Sequence, residues 1–164
     1  MNLFIRRATE SDVSAVAALW RSLVGTDGCT WDEEYPGIEE AQEDEVHGDL
    51  YVLCTDENKI IGAMTAGEDS ELWQYDFWSE DIKRHCFCSR LGIAAAYQNR
   101  GLAGFMFSEV EKDVFKRGYD GIGFLVSPKN LKALSVYDKL DYVKVGECAL
   151  YEQDWFCYEK KLTE

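Results

Sequence analysis

The sequence predicts an α/β fold in which a mixed sheet is covered by helices. Short apolar runs alternate with helical-periodic segments through the middle of the chain, a hairpin signal precedes that stretch, and two strand-like runs follow it. The composition agrees: 46% of the 164 residues are apolar, 13% are aromatic and only 2 are proline, which excludes disorder and low complexity. A chain of this length fits one domain, residues 1–164, and typically buries ~70% of the surface its unfolded form exposes.

Leu3–Ala8 is short and apolar and reads as a strand. Thr9 offers a capping hydroxyl, and Glu10 and Asp12 put negative charge in a first helical turn. Val13, Val16, Ala17, Leu19, Trp20 and Leu23 form one helical face, which Gly25 stops. Residues 26–35 form a loop with Trp31 and Tyr35, and Pro36 can open a second, strongly acidic helix through about His47. Tyr51–Thr55 and Lys59–Ala66 are strands joined by Asp56, Glu57 and Asn58. In residues 67–82 carboxylates interleave with Leu72, Trp73, Tyr75, Phe77 and Trp78, the pattern of an ordered loop or short helix. Cys86–Ala94 reads as a buried strand, and Gly101–Arg117 as a helix with Met106, Val110 and Val114 on one stripe. A strand at Ile122–Val126, a helix at Asn130–Leu140 and strands at Tyr142–Glu147 and Trp155–Leu162 complete the chain.

The 31 acidic and 17 basic residues give a net charge of −14, and the imbalance is local. Residues 32–45 hold eight carboxylates and residues 67–82 hold six, with no Lys or Arg in either; the remainder has 17 of each sign. An acidic chain without a basic cluster lacks the phosphate-neutralising surface of a nucleic-acid binder and is equally unsuited to an anionic membrane. No apolar run approaches the ~20 residues of a membrane span. Met1–Arg7 lacks the basic-then-apolar order of a secretory signal, so a cytoplasmic location is expected. Six cysteines occur without a CxxC spacing, and free, small apolar thiols are the expectation, with no metal site. His47 reads as a solvated surface residue, and neither histidine has a Ser or Cys partner at the spacing of a nucleophilic triad.

The most informative stretch is Ile93–Ala103, which leaves a buried strand and opens a long helix. A first helical turn has backbone amides without internal partners and a partial positive charge, so an oxygen-rich anion suits it. Gln98-Asn99-Arg100-Gly101-Leu102-Ala103 resembles the Q/R-x-x-G-x-G/A motif of the GNAT superfamily of N-acetyltransferases, which binds the pyrophosphate of acetyl-CoA. Other features follow in the family's order. Ile5–Asp12 resembles its strand–helix entry and Ile60–Ala63 its third strand. Asn130–Tyr142 is similar to its N-x-x-A-x-x-x-Y-x-K-x-G-F signature.

The resemblance implies a mixed, mostly antiparallel central sheet of about seven strands flanked by about four helices. It also implies roles. Backbone amides of Gln98, Asn99, Arg100, Gly101, Leu102 and Ala103 would hold the pyrophosphate of acetyl-CoA, the co-substrate. The Ile93 N–H would serve as an oxyanion donor to the thioester carbonyl, and Asn130 would contact the cofactor. Tyr137 matches the general acid that protonates the departing thiolate, of pKa ~8.5. Plain structural readings stand beside these: Tyr137 as a core aromatic, and Asn130 as a helix cap after Pro128. Two positions depart from the pattern. Asp141 replaces the glycine before the terminal aromatic, and Asp tolerates a left-handed backbone. Phe87 and Ser89 stand where many members carry a Glu or His base, leaving water or a carboxylate such as Glu68 or Asp76 for that role.

In this fold the acceptor enters opposite the cofactor, where the resemblance places both acidic segments. Clustered negative charge concentrates cations, so the expected partner is a small cationic amine, with Trp31, Glu68 and Asp76 as candidate contacts. Nearby carboxylates also raise an amine's pKa, so they suit a second positive group better than the reacting nitrogen. Alternative readings are acetylation of a protein or peptide amine, a non-catalytic CoA-sensing or partner-binding module, and acids that form only a solvated face. A homodimer is compatible with the sequence.

Overall fold

The computed structural model describes residues 2–26 and 28–164. Met1, and Asp27 within the expected 26–35 loop, lie outside the described residues. The strands are β1 (Leu3–Arg7), β2 (Leu50–Thr55), β3 (Ile60–Gly67), β4 (His85–Ile93), β5 (Gly121–Val126), β6 (Val143–Leu150) and β7 (Gln153–Lys161). The helices are α1 (Val13–Ser22), α2 (Ile38–Val46), the single turn α3 (Ser70–Trp73), α4 (Leu102–Lys116) and α5 (Leu131–Lys139). Strand order is β1-β2-β3-β4-β5-β7-β6. The β1–β2, β2–β3, β5–β7 and β6–β7 pairs are antiparallel, and β4–β5 is parallel. The sheet is therefore mixed, as the sequence predicts. Two compact units make up the chain, residues 1–66 with 90–106 and residues 67–89 with 107–164, so β4 and α4 each contribute to both.

In the first unit, the helix start expected at Thr9 is a 3-10 turn, Glu10–Asp12, that feeds α1. Asp12 Oδ2 accepts the Thr9 amide at 2.7 Å and the Thr9 hydroxyl at 3.1 Å. The α1 face Val13, Val16, Ala17, Leu19 and Trp20 packs with Ala41 of α2 and with Leu50, Val52, Cys54 and Ala63 of the β2–β3 hairpin. Pro36 does not open α2, which begins at Ile38. Gly37 is its cap, in an extended conformation, with its amide donating to Glu40 Oε1 at 2.8 Å. The buried Pro36 precedes the helix and offers its carbonyl to Arg21 Nη1 at 3.4 Å.

In the second unit, Asp69 caps α3 by accepting the amides of Glu71 at 3.0 Å and Leu72 at 3.2 Å. Residues after α3 are anchored rather than loose. Trp78 Nε1 donates to the Leu72 carbonyl at 2.8 Å, and Leu72, Trp78, Phe87 and Cys157 form a core with Tyr75 and Phe77 beside it. The Ser79 amide donates to Glu159 Oε1 at 3.0 Å, the Ser79 hydroxyl donates to Oε2, and His85 Nε2 meets Oε1 at 2.9 Å. A second aromatic group joins Phe107, Phe124, Tyr137, Tyr142 and Tyr158. Asp141 adopts φ +70°, so the left-handed turn forms without its glycine. All six cysteines are free thiols, and His47 is exposed.

Candidate functional site

The first unit carries the loop that leaves β4. The Ala94 amide donates to the Ile61 carbonyl at 2.8 Å, and Gln98 Nε2 donates back to the Ile93 carbonyl at 2.9 Å. These bonds tie the loop to β3 and to the strand end it has just left. A 3-10 turn, Ala95–Tyr97, follows, and then Asn99 and Gly101 take left-handed conformations, φ +64° and +74°. A side chain at Gly101 would meet nothing within 4 Å, so its backbone angle, not crowding, favours glycine. Phe105 N donates to Gly101 O at 3.1 Å, the first bond of the α4 ladder. The amides of Leu102, Ala103 and Gly104 precede that bond and are the unpaired donors of a helix start. A cavity of about 590 Å3 opens beside them, lined by Asn2, Leu3, Arg100, Gly101, Leu102 and Phe105. A diphosphate fits this chemistry: amides without helical partners, a left-handed turn that aims them, an arginine and open space.

Ile93 is 8% exposed, and its side chain lies against Gly62, where an added Cβ would come within 2.9 Å of Ile93 Cδ1. The Ile-Gly-Ala sequence of β3 thus has a packing reason. Trp31 sits edge-on to Trp20, with ring centroids 6.4 Å apart, and also crowds Gly92.

The acidic stretch 32–45 is not uniformly a solvated face. Asp32 Oδ1 accepts the amides of Glu34 and Tyr35 at 2.8 and 2.9 Å, and Arg21 binds the Asp32 and Glu33 carbonyls. Asp44 is buried. It accepts from Arg90 Nε at 3.0 Å, Arg90 Nη2 at 2.8 Å and the Thr65 hydroxyl at 2.6 Å, while Arg90 Nη1 donates to the Tyr35 hydroxyl at 2.7 Å. Burial opposes the Arg90 charge, but the bonds and charge of Asp44 more than offset it, so its pKa stands above the usual arginine value. Sequence reasoning missed this network. The available signal was Arg90 itself, a cation next to a run of buried strand residues, which requires a partner.

In the second unit, Asn130 caps α5, its Oδ1 accepting the Ala133 amide at 3.2 Å. Tyr137 is buried against Phe124 and Phe107, with centroids 4.4 and 5.3 Å away. Burial, with a smaller contribution from Cys88, pushes its phenol pKa above the ordinary value. Its hydroxyl bonds to no other described residue, so a packed ring and an available proton coexist. Phe87 is buried among Trp73, Trp78 and His85, and Ser89 is exposed; neither is a strong base. Glu68 is paired with Arg84 at 3.1 Å. Asp76 lines a cavity of about 340 Å3 with Trp73, Tyr75, Trp78 and Glu80. Among the described residues no group of three His, Cys, Asp or Glu side chains converges as a metal would need.

The sequence model of the acetyltransferase (GNAT) family matches residues 16–142. An acetyltransferase of Sodalis glossinidius is 26% identical over 94 residues, which span 57% of this chain and 57% of that relative. One from Pectobacterium atrosepticum is 24% identical over 145 residues, 86% of this chain and 88% of the relative. A GNAT superfamily phosphinothricin acetyltransferase from Sinorhizobium meliloti, solved in complex with acetyl-CoA, shares the fold with a TM-score of 0.76. That likeness covers 99% of this chain and 89% of the other at 15% identity.

Proposed function

Because the chain belongs to the GNAT family of acetyltransferases, we propose that it moves the acetyl group of acetyl-CoA onto a primary amine of a small cationic acceptor. The 98–103 loop carries this reading. Its left-handed Asn99 and Gly101 and the amides ahead of the first α4 bond suit the donor's pyrophosphate. The amine nitrogen attacks the thioester carbonyl carbon directly, and the Ile93 N–H donates to the oxyanion that forms. Collapse of that intermediate breaks the carbon–sulfur bond, and Tyr137 gives its phenolic proton to the departing thiolate. Burial raises the phenol pKa, which keeps the proton in place at neutral pH and makes the group a weaker acid than a free tyrosine. Asn130 orients the cofactor from the start of α5. A water, or a carboxylate such as Asp76, takes the amine's proton.

The acids left without a partner favour a cationic acceptor. Glu33, Glu34, Glu39 and Glu43, like Glu71, Asp76 and Glu80, are exposed and have no ion-pair partner among the described residues. Uncompensated carboxylates on this scale draw cations. Thiol release from acetyl-CoA across a panel of amines tests the reading. Diamines and polyamines are expected to turn over, with kcat/KM falling as salt rises. Salt-independent kcat/KM would overturn the electrostatic part, and tight CoA binding with no turnover would favour a non-catalytic module. A peptide amine is the second reading, favoured by the half-exposed Trp73 beside its aromatic cavity; turnover of peptides but not small amines would select it.

A further inference from the structure

Seven cations among the described residues sit on carboxylates in resolved ion pairs, as Arg6 does on Asp12, Arg90 on Asp44 and Lys160 on Glu111. Lys59 and Arg100 do not. Neither has a carboxylate partner among the described residues. Both lie over the same ring, with Lys59 Nζ 5.7 Å and the Arg100 guanidinium carbon 5.4 Å from the Tyr97 centroid. The two charges are therefore no more than about 11 Å apart, near one Debye length at ordinary ionic strength. Two cations gathered on one ring repel one another, and a bound anion would offset that cost.

Lys59 is held on a firm mount. The β2–β3 turn is closed by the Thr55 amide donating to the Lys59 carbonyl at 2.9 Å and by Asn58 at φ +62°. Arg6 donates to Asn58 Oδ1 from Nε at 3.3 Å and from Nη2 at 3.0 Å. Arg100 lies between the left-handed Asn99 and Gly101. Arg100 thus stands within the pyrophosphate loop and Lys59 across Tyr97 from it, and neither forms part of the α4 ladder. An acetyl-CoA molecule carries one phosphate beyond its pyrophosphate, the dianionic monoester on the ribose 3′ position, and a separated lysine–arginine pair suits such a group.

We propose, as a consequence that depends on the acetyl-CoA reading above, that Lys59 and Arg100 around Tyr97 hold the 3′-phosphate of the donor and select it over its dephosphorylated analogue. No covalent step is involved; the pair is a specificity device at the cofactor end of the site.

Calorimetric titration of the full chain with CoA and with 3′-dephospho-CoA tests this. The wild type is expected to prefer CoA about tenfold, with the preference shrinking as salt rises. Lys59→Gln should reduce the ratio to about twofold while leaving dephospho-CoA affinity unchanged, and Lys59→Arg should restore it. Lys59 is exposed in a turn, so its variants are expected to melt with the wild type. Equal affinity of the wild type for the two ligands, or an unchanged ratio in Lys59→Gln, overturns the proposal while leaving the acetyl-CoA reading in place. If neither ligand binds, the acetyl-CoA reading fails and the proposal falls with it.

Discussion

Arg90 grips Asp44 with two parallel bonds, Nε to Oδ2 at 3.0 Å and Nη2 to Oδ1 at 2.8 Å, from a backbone position at φ +53°. The arginine side chain is 20% exposed and the aspartate 9%, so neither charge is well hydrated without the other. Asp44→Ala should cost about 3–5 kcal/mol, because it leaves a desolvated guanidinium unpaired. Urea denaturation would measure the loss. Arg90→Lys should also destabilise, since an ammonium cannot reproduce the fork that meets both carboxylate oxygens and Tyr35. A change below about 0.5 kcal/mol in Asp44→Ala would show the pair to be a surface contact in energetic terms.

Asp12 gives a stability signature in acid. Its bond to Arg6, opposed by burial and helped by the Thr9 amide, lowers its pKa from 3.8 to about 2. A depressed carboxylate contributes stability that is full above the unfolded value and lost as pH falls through the folded one. The free-energy gap between wild type and Asp12→Asn should therefore be constant above about pH 5, near 1–2 kcal/mol after screening, and close toward pH 2. Denaturation at a series of pH values measures it; a gap that widened in acid would reverse the assignment.

Gly62→Ala should destabilise by about 1–3 kcal/mol. The added Cβ would stand 2.9 Å from Ile93 Cδ1 and 3.2 Å from both Leu53 Cβ and Met106 Sδ. Trimming Ile93 to Val in the same chain should recover part of the loss, a coupling that a double-mutant cycle on melting temperature would detect.

Tyr137→Phe should lower kcat about a hundredfold with little change in the affinity for acetyl-CoA, since the ring that packs on Phe124 is retained. Because burial raises the phenol pKa, any alkaline fall of wild-type kcat below pH ~10 should belong to another group and persist in the variant. Full activity in Tyr137→Phe would remove it from the chemistry.

Asp141→Gly should stabilise the chain by up to about 1 kcal/mol by relieving the left-handed backbone at φ +70°. Chemical denaturation checks the sign.

Much of the architecture was legible because it rests on local rules. The Asp56–Asn58 turn, the apolar stripe Met106–Val110–Val114 and the glycine ahead of α4 are set by neighbours in the chain. Pro36 misled because proline suits both a first helical turn and the segment before it, and the Glu40 bond to the Gly37 amide selects the latter. Asp44 misled for a different reason. Among eight carboxylates it looked like one more solvated acid, and only the approach of Arg90, 46 residues away, makes it a buried partner. The left-handed turn ahead of α4 was readable from its motif, whereas the Lys59–Tyr97–Arg100 cluster was not, since its members come from separate elements.

Glu159 gathers the Ser79 amide, the Ser79 hydroxyl and His85 onto one carboxylate of β7. Ser79 and Glu159 are 80 positions apart, so the ribosome adds the second roughly 4–16 seconds after the first. During that interval Tyr75, Phe77 and Trp78 have no Cys157 or Leu150 to pack on and remain sticky surface on a nascent chain. β7 is thus a lock that arrives after the other six strands. Messages that stall translation before residue 159 should yield fragments handled by chaperones and proteases rather than by slow loss of the native fold.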